Sequence, residues 1–341
     1  MIDGKLGVAI HGAGQVAYAH AASWLKNPHT RIVSVGSRRR ASAERLVQKL
    51  GLECDIHERF EDVLADPRVN IVNLSGPNHV HTPQGIAAAE AGKHILVEKP
   101  MCLSIDENRR LRDAVARNGV RSVVSFVLRW NPLFENLKSL LSAGAIGNLF
   151  YVEVDYWHGL STWWSGWEWG HTRQCGGSTM LLGGCHALDA IRWFSGEPVV
   201  EVSAYSNNAK KMFEFDANVV AMLRFASGAI GKTSALFDAD MPYQFNIDLV
   251  GTEGTIRDNR LWSKKLLPGQ KGWTTMQTLM PDSGDVHHHP FDAQIDHFVD
   301  CIRQGRESHC NIADAYLTHE LCLAIDRSID CGGKPVGLPL E

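Results

Sequence analysis

The chain has 341 residues, with 34 Lys and Arg against 38 Asp and Glu and a formal net charge of −4 at pH 7. That length allows two domains with ample core, and the small negative balance gives no electrostatic case for nucleic acid or an anionic membrane as partner. No apolar run is long enough to span a bilayer, and the eight cysteines are scattered without a CxxC pair. Met1-Ile2-Asp3-Gly4-Lys5 runs straight into a strand with no leader-like pattern. The expectation is a cytoplasmic protein with reduced thiols.

The first half alternates strands and helices. Leu6 to His11 is apolar, and Gly12-Ala13-Gly14-Gln15-Val16-Ala17 follows at once, ahead of a helical stretch to about Leu25. In strand–turn–helix context, G-x-G-x-x-A reads as a dinucleotide site. Gly12 permits the tight turn, Gly14 lets backbone approach a pyrophosphate, and the helix start at Gln15 and Val16 supplies N–H groups. The next strand, Arg31 to Ser37, ends in Ser37-Arg38-Arg39-Arg40, where an NAD site usually places an acidic residue for the ribose hydroxyls. A hydroxyl followed by arginines suits a 2′-phosphate. NADP is therefore the favoured cofactor and NAD the alternative, with a solvated basic loop as the plain reading.

A helix over Ser42–Leu50 precedes the strand Ile71–Leu74, which ends in the polar loop Ser75-Gly76-Pro77-Asn78-His79-Val80-His81. After a helix to Ala91, the buried strand His94–Val97 stops at Glu98-Lys99-Pro100. A buried parallel strand is normally apolar throughout, and its carboxyl end is where open α/β sheets bind ligands. Glu98 and Lys99 are thus candidate site residues, although a structural ion pair before a strand-ending Pro100 would give the same triplet. Ser104-Ile105-Asp106-Glu107 is a capping box for a helix to about Asn118, and Arg121–Phe126 closes a doubly wound parallel sheet.

The second half reads differently. Pro132–Ala143 is an amphipathic helix, and Leu149–Trp157 alternates with Val152, Val154 and Tyr156 on one face. Val199–Tyr205, Asn218–Phe225, Ala229–Ala235 and Phe245–Val250 continue the pattern, giving an antiparallel sheet. Five of the ten tryptophans fall within Trp157–Trp169, in a loop that also carries Glu168 and leads to His171. Each indole N–H needs a partner when buried, and aromatic platforms commonly hold the apolar face of a sugar. Trp163, Glu168 and His171 are therefore candidate substrate contacts, with loop packing as the other account. A helix over Ser178–Phe194 puts His186, Asp189 and Trp193 on one face, where a lone histidine is usually structural. Consecutive His287-His288-His289 point apart, and no metal site is expected. Helices over Phe291–Arg303 and Ile312–Cys331 end the chain.

Taken together, the glycine turn, Pro77-Asn78-x-x-His81, Glu98-Lys99-Pro100, Arg129-Trp130-Asn131-Pro132, Gly183-Gly184-Cys185-His186-x-x-Asp189-x-x-x-Trp193 and Gly251-Thr252-Glu253-Gly254-Thr255 resemble the glucose–fructose oxidoreductase / inositol dehydrogenase / rhizopine-catabolism (Gfo/Idh/MocA) family over nearly the whole chain. The resemblance implies a dinucleotide-binding Rossmann domain (1–126). A C-terminal α/β domain (127–341) would follow, with a large open, mainly antiparallel sheet that makes homodimers or homotetramers. It implies that Lys99 stands between nicotinamide and substrate, that the Lys99–Pro100 peptide is cis, and that His186 joins Lys99 in catalysis. By the same resemblance Ser75, Asn78, His81, Glu98 and Arg129 line the cofactor, and Arg129 also reaches the substrate. One position departs: the family's Asp four residues before the histidine is Leu182, and Glu168, His171, His158 or Asp155 would have to stand in. The activity implied is hydride transfer between nicotinamide and a secondary hydroxyl of a small sugar, cyclitol or glycoside. The alternatives are a redox-neutral elimination or hydrolysis of a glycoside through a transient keto sugar, and a non-enzymatic cofactor-bound sensor.

Overall fold

The structure is a computed structural model that describes residues 4–282 and 289–341. The chain forms two compact units, one of Met1–Val127 with Pro290–Leu317, the other of Leu128–His289 with Thr318–Glu341. Residues 290–317, late in the chain, belong to the first unit together with the N-terminal segment. No helix among the described residues is long and apolar enough to cross a membrane.

Among the described residues the first unit is built on six strands in the order β3-β2-β1-β4-β5-β6, all parallel. These are β1 (Leu6–His11), β2 (Thr30–Gly36), β3 (Asp55–His57), β4 (Ile71–Leu74), β5 (His94–Val97) and β6 (Ser122–Val124). All of β1 and β4 is buried, as parallel strands covered on both faces must be. The covering helices are α1 (Gln15–Lys26), α2 (Arg40–Leu50), α3 (Phe60–Ala65), α4 (His81–Glu90) and α5 (Ile105–Asn118). The expected capping box forms on α5, where Ser104 Oγ accepts from Glu107 N–H and Glu107 reaches back to Leu103 N–H at 2.7 Å. Only β3 and α3, at three and six residues, were too short to read from periodicity.

The second unit begins with α6 (Pro132–Ser142), capped by Asn131, and the long strand β7 (Leu149–Trp157). Two single-turn helices follow, α7 (Trp167–Gly170) and α8 (Arg173–Gly176), then α9 (Cys185–Ser195). The sheet is completed by β8 (Val199–Asn207), β9 (Asn218–Phe225), β10 (Ile230–Leu236), β11 (Gln244–Gly251), β12 (Gly254–Arg257), β13 (Arg260–Ser263), β14 (Thr274–Thr275) and β15 (Val336–Gly337). Among the described residues nine strands run in the order β14-β13-β12-β11-β7-β10-β9-β8-β15. The sheet is mixed, because β10 pairs parallel to β7 while its other pairings are antiparallel. Alternation is strict where it matters: Val219, Ala221, Leu223 and Phe225 of β9 are buried, and the residues between face outward. In the first unit, α10 (Phe291–Gln304) is tied to α1 by Ser23 and Lys26 on Asp292 and by Asn27 on Asp296. The last helix, α11 (Ile312–Asp330), follows.

Candidate functional site

In the first unit the expected cofactor residues gather at the carboxyl edge of the parallel sheet. Gly12 has φ +104°, and a Cβ there would lie 2.5 Å from Gly76 N and from the Ser75 carbonyl carbon, so only glycine lets the β1 and β4 turns close. Ser75 stitches them, its N–H donating to His11 O at 2.8 Å and its Oγ to Gly12 O at 3.1 Å. Gly14 is the N-cap of α1, with no side chain capping it and no acidic residue in the first turn. A Cβ on Gly14 would meet nothing within 4 Å. A helix N-terminus left uncapped beside open space fits a pyrophosphate, which the aligned N–H groups and the dipole both favour. Gln15 is exposed and Val16 half-buried at this end. Past β2, Ser37 Oγ accepts from Arg39 N–H at 3.3 Å, Arg40 pairs with Glu44, and Arg38 is exposed with no ion pair among the described residues.

Glu98 and Lys99 leave β5 with Glu98 buried and Lys99 half-buried, and the Lys99–Pro100 peptide is cis. Glu98 Oε2 accepts from Lys99 N–H at 3.2 Å, while Oε1 lies 3.0 Å from Nε2 of His20 on α1. Burial alone would raise this carboxyl, but the His20 ring, the Lys99 charge and the Ser125 hydroxyl bring it down to about 2. His81, expected against the cofactor, lies between two backbone carbonyls. It is 1 % exposed, with Nδ1 2.8 Å from Pro100 O and Nε2 2.9 Å from Gly76 O. The ring braces the β4 turn against the β5 turn because both nitrogens find backbone carbonyls there, and burial lowers its pKa. Asn78, 3 % exposed, is held in the single 3₁₀ turn ahead of it.

In the second unit, α9 is preceded by a π-helical turn over Met180–Gly184 that replaces the expected continuous helix. Gly183 and Gly184 permit it, since a Cβ would stand 2.7 Å from Tyr156 Cε1 and 2.8 Å from Met180 Sδ respectively. Such turns often mark functional positions. His186 follows, 7 % exposed, with the Tyr156 ring lying nearly parallel to it (6.0 Å between centroids, 16°). Tyr243 stands edge-on to Tyr156 and to His158, and Trp163 lies 5.6 Å from His158. The His289 ring is 6.3 Å from His186, whereas His287 and His288 lie outside the described residues. Burial raises the pKa of both tyrosines, so their hydroxyls stay protonated donors at neutral pH. Tyr243 escaped the sequence reading because nothing local marks it.

Three further expected site residues have the following surroundings. Arg129, expected against cofactor and substrate, is 3 % exposed, and its Nε and Nη2 donate to the two carboxylate oxygens of Asp189. The pair ties Arg129 to α9, and Asp189 Oδ1 also accepts from Thr318 Oγ1 at 3.0 Å. His171 stacks on Trp167 and donates from Nδ1 to Trp167 O, because it closes the short α7 turn. Glu168 is exposed and has no hydrogen bond or ion pair among the described residues. Most of the tryptophan loop is packed: Trp164, Trp167 and Trp169 lie against a cluster of Leu160, Leu182, Phe213, Phe215 and Phe237. Trp163 is the exception, 60 % exposed and beside His158.

Of the groups able to hold a metal ion among the described residues, Asp55, His57 and Asp66 come close enough together. Arg68 already bridges the two carboxylates there.

Residues 6–126 match the family profile described as the oxidoreductase family, NAD-binding Rossmann fold, and residues 134–257 match the GFO/IDH/MocA C-terminal domain. The chain is 27% identical to scyllo-inositol 2-dehydrogenase (NAD(+)) of Bacillus subtilis, over 98% of this chain and 96% of that protein. It is also 27% identical to levoglucosan dehydrogenase of Pseudarthrobacter phenanthrenivorans, over 74% of this chain and 73% of that one. Among solved structures, levoglucosan dehydrogenase in complex with NADH and levoglucosan superposes with a TM-score of 0.89 at 23% identity, covering 98% of this chain and 99% of the other, which is agreement of fold.

Proposed function

The chain belongs to the Gfo/Idh/MocA oxidoreductase family, and from that premise we propose that it transfers hydride between a nicotinamide cofactor and a secondary hydroxyl of a sugar, cyclitol or glycoside. The observation that carries the reading is the uncapped, unobstructed N-terminus of α1 on the same sheet edge as the Glu98–Lys99 segment. The bound dinucleotide supplies the hydride acceptor or donor. Gly12, Gly14, Gln15 and Val16 would hold its pyrophosphate, Ser37 and Arg38 the adenosine ribose, and Ser75, Asn78 and Glu98 the remaining edge.

Oxidising an alcohol needs a group that takes the hydroxyl proton as hydride leaves carbon. Lys99 and His186 are the residues we assign to proton handling. Tyr156, His158, Tyr243 and Trp163 supply apolar ring faces with polar edges, a lining suited to a sugar ring. The exposed Arg38 favours NADP over NAD, since a guanidinium matches a 2′-phosphate. Assembly as a homodimer or homotetramer in the cytoplasm completes the reading.

The test is growth of the reduced-nicotinamide absorbance band with NAD or NADP and a panel of inositols, hexoses, levoglucosan and simple glucosides. Growth with one class establishes the dehydrogenase and its cofactor. Cofactor retained through purification with no band change for any substrate would replace this reading with the redox-neutral or sensor one. A Lys99→Met variant is expected to bind cofactor and lose turnover.

A further inference from the structure

Among the described residues the Tyr156 hydroxyl makes no hydrogen bond, although its ring is closely held. Tyr156 ends the inner face of β7, after the buried Val152 and Val154, and is itself half-buried. His186 lies parallel to its ring, while Phe237, Tyr243 and His158 stand edge-on at 6.3, 5.5 and 6.0 Å. The π-helical turn makes the room: a Cβ on Gly183 would lie 2.7 Å from Tyr156 Cε1 and 2.9 Å from the Phe237 ring. Tyr156 also packs against the cluster that contains Leu182. A buried phenol normally finds a partner for its O–H. A ring fixed on every side whose hydroxyl the protein leaves unpaired is aimed at a ligand.

We propose that the Tyr156 hydroxyl reads the substrate and selects a neutral sugar whose oxygen at this point is capped as an ether, as in an anhydro sugar or an alkyl glycoside, over a free polyol. The neighbouring groups carry the argument. Besides the His158 and His186 rings, the ionisable groups acting on Tyr156 and Tyr243 are Cys185 and Tyr156 itself, so no carboxylate or permanent cation faces the two phenols among the described residues. Acids on the adjoining elements are spent elsewhere. Glu153 and Asp155 share Lys232 on the other face of β7, Asp189 holds Arg129, and Asp238 accepts from Ala209 N–H, Lys210 N–H and Asn218. A polyol hydroxyl buried here brings a proton that needs an acceptor, and a phenol accepts more weakly than a carboxylate. An ether oxygen accepts from Tyr156 O–H, brings no proton, and leaves its C–H faces to the rings. A sugar acid would bury a charge with no permanent cation to meet it. The discrimination is modest, because a largely apolar pocket rejects an added hydroxyl weakly.

The proposal rests on the sugar-oxidising reading of the site, and a binding measurement separates the two. With NADH or NADPH present, calorimetric titration is expected to give levoglucosan and methyl glucoside Kd values about tenfold below those of glucose, myo-inositol and glucuronate. Tyr156→Phe is expected to raise Kd for the two capped sugars about three- to tenfold, bringing them level with the free polyols. The midpoint of urea unfolding and the Kd for dinucleotide should stay put, because the hydroxyl holds nothing in the protein. A lowered midpoint assigns the hydroxyl to the fold and overturns the proposal. Equal Kd values in the unmodified protein, tighter binding of inositol or glucuronate, binding of none of the probes, or a preference that survives in Tyr156→Phe overturns it as well. The comparison within the unmodified protein stands whether or not the variant folds. Preference in binding without oxidation of any sugar by either nicotinamide removes hydride transfer and keeps the proposal; oxidation of all the probes without preference does the reverse.

Discussion

Arg129 and Asp189 meet as a two-bond ion pair, Nε to Oδ2 at 2.8 Å and Nη2 to Oδ1 at 2.6 Å, with side-chain exposures of 2% and 4%. The guanidinium also lies over the Trp193 ring, and Lys138 caps the same ring while donating to the Trp193 carbonyl. Removing one partner leaves a buried charge uncompensated, which costs about 3–5 kcal/mol. Arg129→Met and Asp189→Leu should each destabilise the protein by that order in urea unfolding, and the double variant should recover part of the loss. Additive losses would mean the pair is not coupled.

Leu182 makes the second prediction. It is 5 % exposed in the cluster that holds the tryptophan loop, so Leu182→Ala should cost about 2–4 kcal/mol. Leu182→Asp, which restores the residue common in the family, should cost more, because a carboxylate would enter that cluster without a partner. A loss of tryptophan burial in the fluorescence spectrum would accompany both. Gain of activity on inositols by Leu182→Asp without loss of stability would contradict the packing assignment.

His11 gives a pH dependence. Burial, only partly opposed by Glu61, lowers its pKa to about 4, below the value near 6.5 of an unfolded histidine. The unfolded chain therefore binds the extra proton between those values, and folding stability from this residue is full above about pH 6.5 and falls as pH drops toward 4. Its side chain fills the space at Gly36, where a Cβ would lie 2.2 Å from its Nδ1, and its ring lies tilted against Phe60 at 4.6 Å. His11→Leu should flatten the stability profile in that window by roughly 2–3 kcal/mol at its acid end. An unchanged slope would remove His11 as its source.

Arg38→Ala tests cofactor choice. A charge-assisted bond to a 2′-phosphate contributes roughly 1.5–3 kcal/mol, so Kd for NADP should rise about tenfold or more while Kd for NAD stays put. Equal effects on both would mean that Arg38 reads no phosphate.

The turn over Gly12–Val16 and the strand end at Glu98 and Lys99 were legible because their residues are local in sequence. The parallel sheet followed from strands and helices in alternation. What could not be read is what distance in sequence conceals. Tyr156, His158 and Tyr243 meet only because β11 pairs with β7. Arg129 looked like a ligand residue from its motif, yet its partner lies 60 positions on. The π turn before His186 has no periodic signature at five residues.

The return of residues 290–317 to the first unit bears on how the protein is made. A nascent chain that has just released residue 127 holds a parallel sheet still lacking α10, the helix that covers His20 and pairs with Asn27. The ribosome must add every strand of the second unit's sheet except β15 first, which at ordinary synthesis rates takes roughly ten to thirty seconds. Throughout that interval the nucleotide-binding half is unfinished, so it has to wait for, or be guarded until, sequence that lies beyond its neighbour.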